Sequence, residues 1–224
     1  MKINYKIVSG EVKQIRPNIF AVIIKSDYDR SMLFCRYQEY YESPFSEIRR
    51  KFFTLEEYMR LYTIENKKGY FSYPEDWVGY NVPSNILMEA EQVFRNNVNL
   101  YDEIMSEIIH YCIVESNYKP WYLIGVDKIN SSTMNHEIAH GLYYTNSMYR
   151  IEMDKLIINI EPKIYNQLKK SLIKTGYVDD KKIIDDEIQA FMSTGTLSTW
   201  KNEHYEKYSK YFVKVFKKYN KKNV

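Results

Sequence analysis

His136 and His140 stand four residues apart with Glu137 between them, in the run His136-Glu137-Ile138-Ala139-His140. Four residues is about one turn of an α-helix, so both imidazoles project from one face and can reach a single ion. Glu137 directly follows the first imidazole, where a carboxylate can hold a water and remove its proton as it attacks a carbonyl. Zinc in such a setting lowers the pKa of that water toward neutrality, which makes hydrolysis the chemistry to expect.

Two imidazoles do not complete such a site, because a catalytic zinc takes three protein ligands and keeps one position open. Glu187 is the strongest candidate for the third. It lies on a segment, Lys181 to Ser193, whose apolar residues are Ile183, Ile184, Ile188, Phe191 and Met192. Glu187 is three residues from Ile184 and four from both Ile183 and Phe191, which puts it inside the buried stripe, with Asp186 and Gln189 off it. A carboxylate facing a core is costly unless it is paired or bound to a cation. A zinc ion removes that cost, and an arginine or lysine from another helix is the alternative partner. The remaining histidines fit less well. His204 falls one position from the apolar face of its helix, and His110 falls off the stripe of its own. Tyr143 and Tyr144 follow the motif closely; core packing claims at least one, and Tyr144 is the phenol assigned to support an oxyanion.

The elements that must position these residues follow from apolar periodicity. Residues 1–36 read as a hairpin or small antiparallel sheet: Ile19 to Ile24 and Met32 to Cys35 are short apolar runs, and Gly10 and Ser26 to Asp29 supply turn chemistry. Residues 44–63 read as a broken helix, and 64–83 as an ordered loop rich in aromatic residues. From Ser84 to about Glu115 the pattern is helical again. Trp121 to Val126 reads as a strand, and helices follow at about 132–145, 147–158, 162–175, 181–194 and 201–219. Pro162 suits a first helical turn, Gly176 a C-terminal cap, and Ser131, Ser132 and Thr133 an N-cap before the histidine motif. Met134, Ile138 and Leu142 form a stripe that seats the motif helix on a core. Strands first and helices later define an α+β chain.

The motif His136-Glu137-Ile138-Ala139-His140-Gly141, with Asp186-Glu187-Ile188-Gln189-Ala190-Phe191 on a later helix, resembles the gluzincin class of zinc metallopeptidases over residues 120 to 195. The resemblance implies His136, His140 and Glu187 as zinc ligands and Glu137 as general base. It also implies one zincin-like domain over 1–224, with a small N-terminal, mostly antiparallel sheet and helices in 1–120 and the metal-site helices in 121–224. Many gluzincins carry an aspartate four residues after the third ligand, where it orients a histidine. Phe191 stands there in this chain, so Asn135 or a neighbouring tyrosine would have to serve instead.

Composition bounds the remaining possibilities. The 224 residues carry a formal charge of +3 with 27% charged residues, a balance that argues against a dedicated nucleic-acid binder. Eight lysines against Glu203 and Glu206 from Lys201 onward read as the solvated face of a packed helix. Cys35 and Cys112 lie far apart without metal-ligand spacing, the N-terminus lacks an apolar signal core, and no apolar run approaches the roughly 20 residues of a membrane span. A cytoplasmic zinc hydrolase acting on a peptide or protein is the expectation. A catalytically inactive module that binds another protein through residues 64–83 is the first alternative, and nucleic-acid association through the lysines of the C-terminal helix is the second.

Overall fold

A computed structural model of the chain describes residues 1–77, 79–129, 132–195 and 203–221, apart from the side chains of Ser132, Glu203 and His204. The chain divides into two compact units, Met1–Ile129 and Asn130–Val224. Among the described residues there are five strands and ten helices, an α+β composition.

The first unit is built on a five-stranded sheet in the order β1-β2-β3-β5-β4, with β1 at Lys2–Asn4, β2 at Ser9–Arg16, β3 at Ile19–Ile23, β4 at Tyr80–Pro83 and β5 at Tyr122–Val126. β3 and β5 run parallel in the register Ile19 to Tyr122 through Ile23 to Val126, and the other three pairings are antiparallel. Both central strands are continuous apolar runs because their neighbours cover both faces. Gly10 sits inside β2 opposite Ile3 and not in a turn. A Cβ there would meet the carbonyl oxygen of Ile23 at 2.4 Å, so a close backbone approach is what this glycine permits.

Met32 to Cys35 does not form a strand. It lies in α1, Asp27–Glu42, capped by Ser26, whose hydroxyl accepts from the Asp29 amide. Ten of its residues, from Arg30 to Tyr40, are buried, and they fall on every side of the helix. A helix covered all round carries no 3.6-residue apolar rhythm, and a short apolar run within it is indistinguishable from a strand in the sequence. α2 is confined to Leu55–Glu65 and begins at a capping box of Thr54 and Glu57. The aromatic stretch contains the short α3, Tyr73–Asp76, as well as β4. Its Tyr73 and Tyr80 are buried and pack with Tyr58, Tyr62 and Phe71, while Tyr70 and Trp77 are half exposed. The expected long helix is two: α4, Ser84–Phe94, and α5, Leu100–Glu115, the latter restarted by Asn99, which caps Tyr101 and Asp102.

The second unit is helical: α6 Ser132–Thr145, α7 Ser147–Ile158, α8 Pro162–Lys174, α9 Lys181–Thr194 and α10 Glu203–Tyr219. These bounds follow the expected ones closely, because the amphipathic stripes, the cap Asn146, the first-turn Pro162 and the cap Asp180 are all local signals. α9 is the central helix and packs against α6, α7, α8 and α10. No helix among the described residues is long and apolar enough to cross a membrane.

Candidate metal centre

Met134, Ile138, Ala139 and Leu142 of α6 are all buried. The face bearing His136 and His140 is turned toward α9, the helix against which α6 packs most extensively. The Nε2 atoms of the two imidazoles lie 3.1 Å apart. Glu187, on α9, places Oε2 at 3.6 Å from His136 Nε2 and Oε1 at 3.6 Å from His140 Nε2. His136, His140 and Glu187 are thereby brought together as a group able to hold a metal ion, with all three donor atoms within 4.8 Å of one another.

The group is buried: His140 is 2% and Glu187 7% exposed. Glu187 Oε2 has no hydrogen-bond partner among the described residues, an unsatisfied anionic oxygen of the kind that folded proteins avoid unless something binds it. Burial pushes the Glu187 carboxyl upward, but the imidazoles of His140 and His136 and a hydrogen bond from Tyr177 bring it below its ordinary value. For His140, burial opposes the charged form. The carboxylates of Asp186, Glu187 and Glu137 outweigh it and hold the imidazole well above its usual range. Without a metal, the site is a proton-holding cluster of imidazole and carboxylate.

His140 Nδ1 faces Asp186 Oδ1 at 2.9 Å. The carboxylate preceding the third donor, and not Asn135, is the group that orients this imidazole. Phe191, at the position where an aspartate was sought, lays its ring 4.3 Å from that of His136. Glu137 is buried beside the cluster. Tyr143 donates its hydroxyl to Asp154 and lies beneath Arg150. Tyr144 is half buried, four residues past His140 on the same helical face. His110 is exposed on α5, as its place off the stripe implied. The side chain of His204, and Ser131 with the Ser132 side chain as N-caps, lie outside the described residues.

Asp186, Gln189 and Tyr177 did not emerge as site residues from the sequence. The first two lie off the apolar stripe of α9, yet Gln189 is fully buried, because a helix packed on four sides has no solvent face to mark. Tyr177 lies before α9, where no periodicity applies. A polar residue at a stripe-breaking position next to Glu187 was the available signal for Asp186. No protein-family profile matches the chain, and no curated protein or solved structure matches it.

Proposed function

We propose that the chain is a zinc-dependent hydrolase of the gluzincin type that cleaves a peptide bond, with His136, His140 and Glu187 as the metal ligands. One observation carries the reading: a buried carboxylate, one oxygen of it without a hydrogen bond among the described residues, set against two imidazole nitrogens that lie 3.1 Å apart. Donors held about 2.0–2.2 Å from one tetrahedral ion stand about 3.3–3.6 Å from each other. The imidazole nitrogens are 3.1 Å apart, each carboxylate oxygen of Glu187 lies 3.6 Å from one of them, and one donor atom from each residue fits within 4.8 Å; two imidazoles with one carboxylate is a donor set that zinc accepts in catalytic sites.

When bound, zinc supplies Lewis acidity to the substrate carbonyl and acidifies water. The chain supplies the rest. Glu137 takes a proton from the attacking water and passes it to the departing amine. Tyr144 is the phenol we assign to donate to the oxygen that gains charge, and Tyr177, whose hydroxyl reaches the Glu187 carboxylate, holds that ligand instead. Tyr143 takes neither role, since its hydroxyl is committed to Asp154.

The test is elemental analysis of the purified chain, followed by digestion of a peptide library with and without a chelator. Glu137→Gln is expected to retain zinc and lose turnover. Cleavage that survives this substitution or the chelator sinks the mechanism, and zinc without any cleavage makes the protein a binding module.

A further inference from the structure

Three polar side chains, the partly buried Asp186 and the buried Gln189 and Tyr149, run away from the metal cluster into the helical unit, and the hydrolase reading gives the two buried ones no task. Asp186 Oδ1 accepts from Gln189 Nε2 at 2.9 Å as well as lying 2.9 Å from His140 Nδ1. Gln189 Oε1 in turn accepts from the hydroxyl of Tyr149 at 2.8 Å. Gln189 and Tyr149 are both fully buried. The chain of bonds starts on α7 at Tyr149, crosses α9 at Gln189 and Asp186, and ends on α6 at His140.

The chemistry of the groups sets the direction of each bond. A carboxylate only accepts, so Gln189 must turn its amide N–H toward Asp186, which leaves its carbonyl oxygen for Tyr149. With both contacts on the same oxygen, Asp186 Oδ1 is held in place and His140 is kept protonated at Nδ1. That makes Nε2, the atom facing His136 and Glu187, the lone-pair donor once the site is loaded. The Tyr149 ring is itself fixed, edge-on to Tyr219 of α10 at 5.6 Å. A buried amide and a buried phenol each cost stability unless paired, and the bonds from Tyr149 to Gln189 and from Gln189 to Asp186 pair both groups along a line that leads to the imidazole.

We propose that Gln189 and Tyr149 are positioning residues that lock Asp186 onto His140, so that the site is organised for a divalent ion before the ion arrives. This rests on the metal-site reading, and two measurements separate the failure of one from the failure of the other. The first is zinc affinity by competition with a chromophoric chelator. Gln189→Leu should weaken it about 10-fold or more, in the range typical of changes behind a ligand, and Tyr149→Phe should weaken it several-fold. The second uses metal-free, ¹⁵N-histidine-labelled protein and follows the His140 Nδ1–H proton, which the bond to Asp186 should protect from exchange with water. Protection should fall in both variants. Gln189→Glu, which keeps shape but replaces the donor with an acceptor, should behave like Gln189→Leu. Far-UV circular dichroism checks the fold, and Tyr149→Phe, which removes one oxygen, stands if the glutamine variants do not fold. Unchanged zinc affinity and unchanged protection in folded variants overturn the proposal. A wild type that takes up no zinc but shows the protected proton overturns the metal reading and leaves the hydrogen-bond relay standing as a purely structural one.

Discussion

At the scale of single residues, the metal cluster is a competition between a proton and a cation for the same lone pairs. His140 is held well above its usual range by Asp186, Glu187 and Glu137 against the opposing effect of burial, so near neutral pH the metal-free imidazole keeps a proton that an incoming ion must displace. Zinc uptake is therefore expected to release protons, and its apparent affinity to climb as pH rises through neutrality toward the raised His140 value. Titration of zinc into the chain at pH 6, 7 and 8 in two buffers of different ionisation enthalpy reads both quantities; a flat affinity counts against this arrangement. The sign for stability is opposite. A raised imidazole pKa stabilises the metal-free fold below the unfolded value and loses that contribution as pH rises through the folded one. Glu187→Ala removes one of the three donors proposed for zinc, and should reduce zinc affinity by more than the about 100-fold of a typical outer change, measured by the same competition. Tyr144→Phe should lower kcat by about 100-fold with little change in KM if its phenol meets the oxyanion, whereas Tyr177→Phe, which removes a hydrogen bond to the Glu187 carboxylate, should weaken zinc affinity by about 10-fold.

At the scale of elements, each unit has one helix that is covered on nearly all sides, and each solves the problem of the polar groups so buried. In α1 the buried Arg36 donates from Nε and Nη2 to the carbonyl of Phe53 at 3.1 and 2.7 Å and from Nη1 to that of Asn97 at 2.9 Å. It also pairs with Asp102 of α5 and lies over the Phe94 ring at 4.0 Å. Arg36→Met should destabilise the chain by about 3–5 kcal/mol, because it leaves Asp102 charged and unpaired in the interior; chemical denaturation with matched m-values checks this. The double variant Arg36→Met with Asp102→Leu should recover much of the loss. β2 offers a second test. Gly10→Ala sets a Cβ against the backbone oxygen of Ile23, a neighbour that cannot rotate away, and should cost about 1–3 kcal/mol by the same measurement.

At the scale of the whole molecule, the α+β character is divided between two compact units, with every strand in the first and the metal cluster in the second. β5 belongs with the sheet, where it pairs with β3 and β4, so the first unit extends past residue 120 to Ile129. Zinc that binds only the folded chain stabilises it by mass action, about 4 kcal/mol at a thousandfold excess over Kd. Chelation should accordingly lower the melting temperature by several degrees, and readdition of zinc should restore it. A melting temperature indifferent to zinc would mean that the three donors do not share an ion.

The amino-acid order alone was enough for whatever depends on neighbours three or four positions away. The two imidazoles on one helical face, the stripe that seats them, and the helices after residue 132 all follow from local spacing and caps. Glu187 was legible too, because a carboxylate inside an apolar stripe is a conspicuous exception to a local rule. The tertiary structure alone decided the features that depend on what covers an element. The apolar run Met32 to Cys35 is helical because α1 is enclosed on every side, and Gly10 is required by a strand that approaches it from residue 23. His140 and Tyr149 reach Asp186 and Gln189 only when α6 and α7 pack on α9. The physical reason is common to all three: a periodic signal reports a boundary between core and solvent, and where an element has no such boundary the sequence around it carries no rhythm to read.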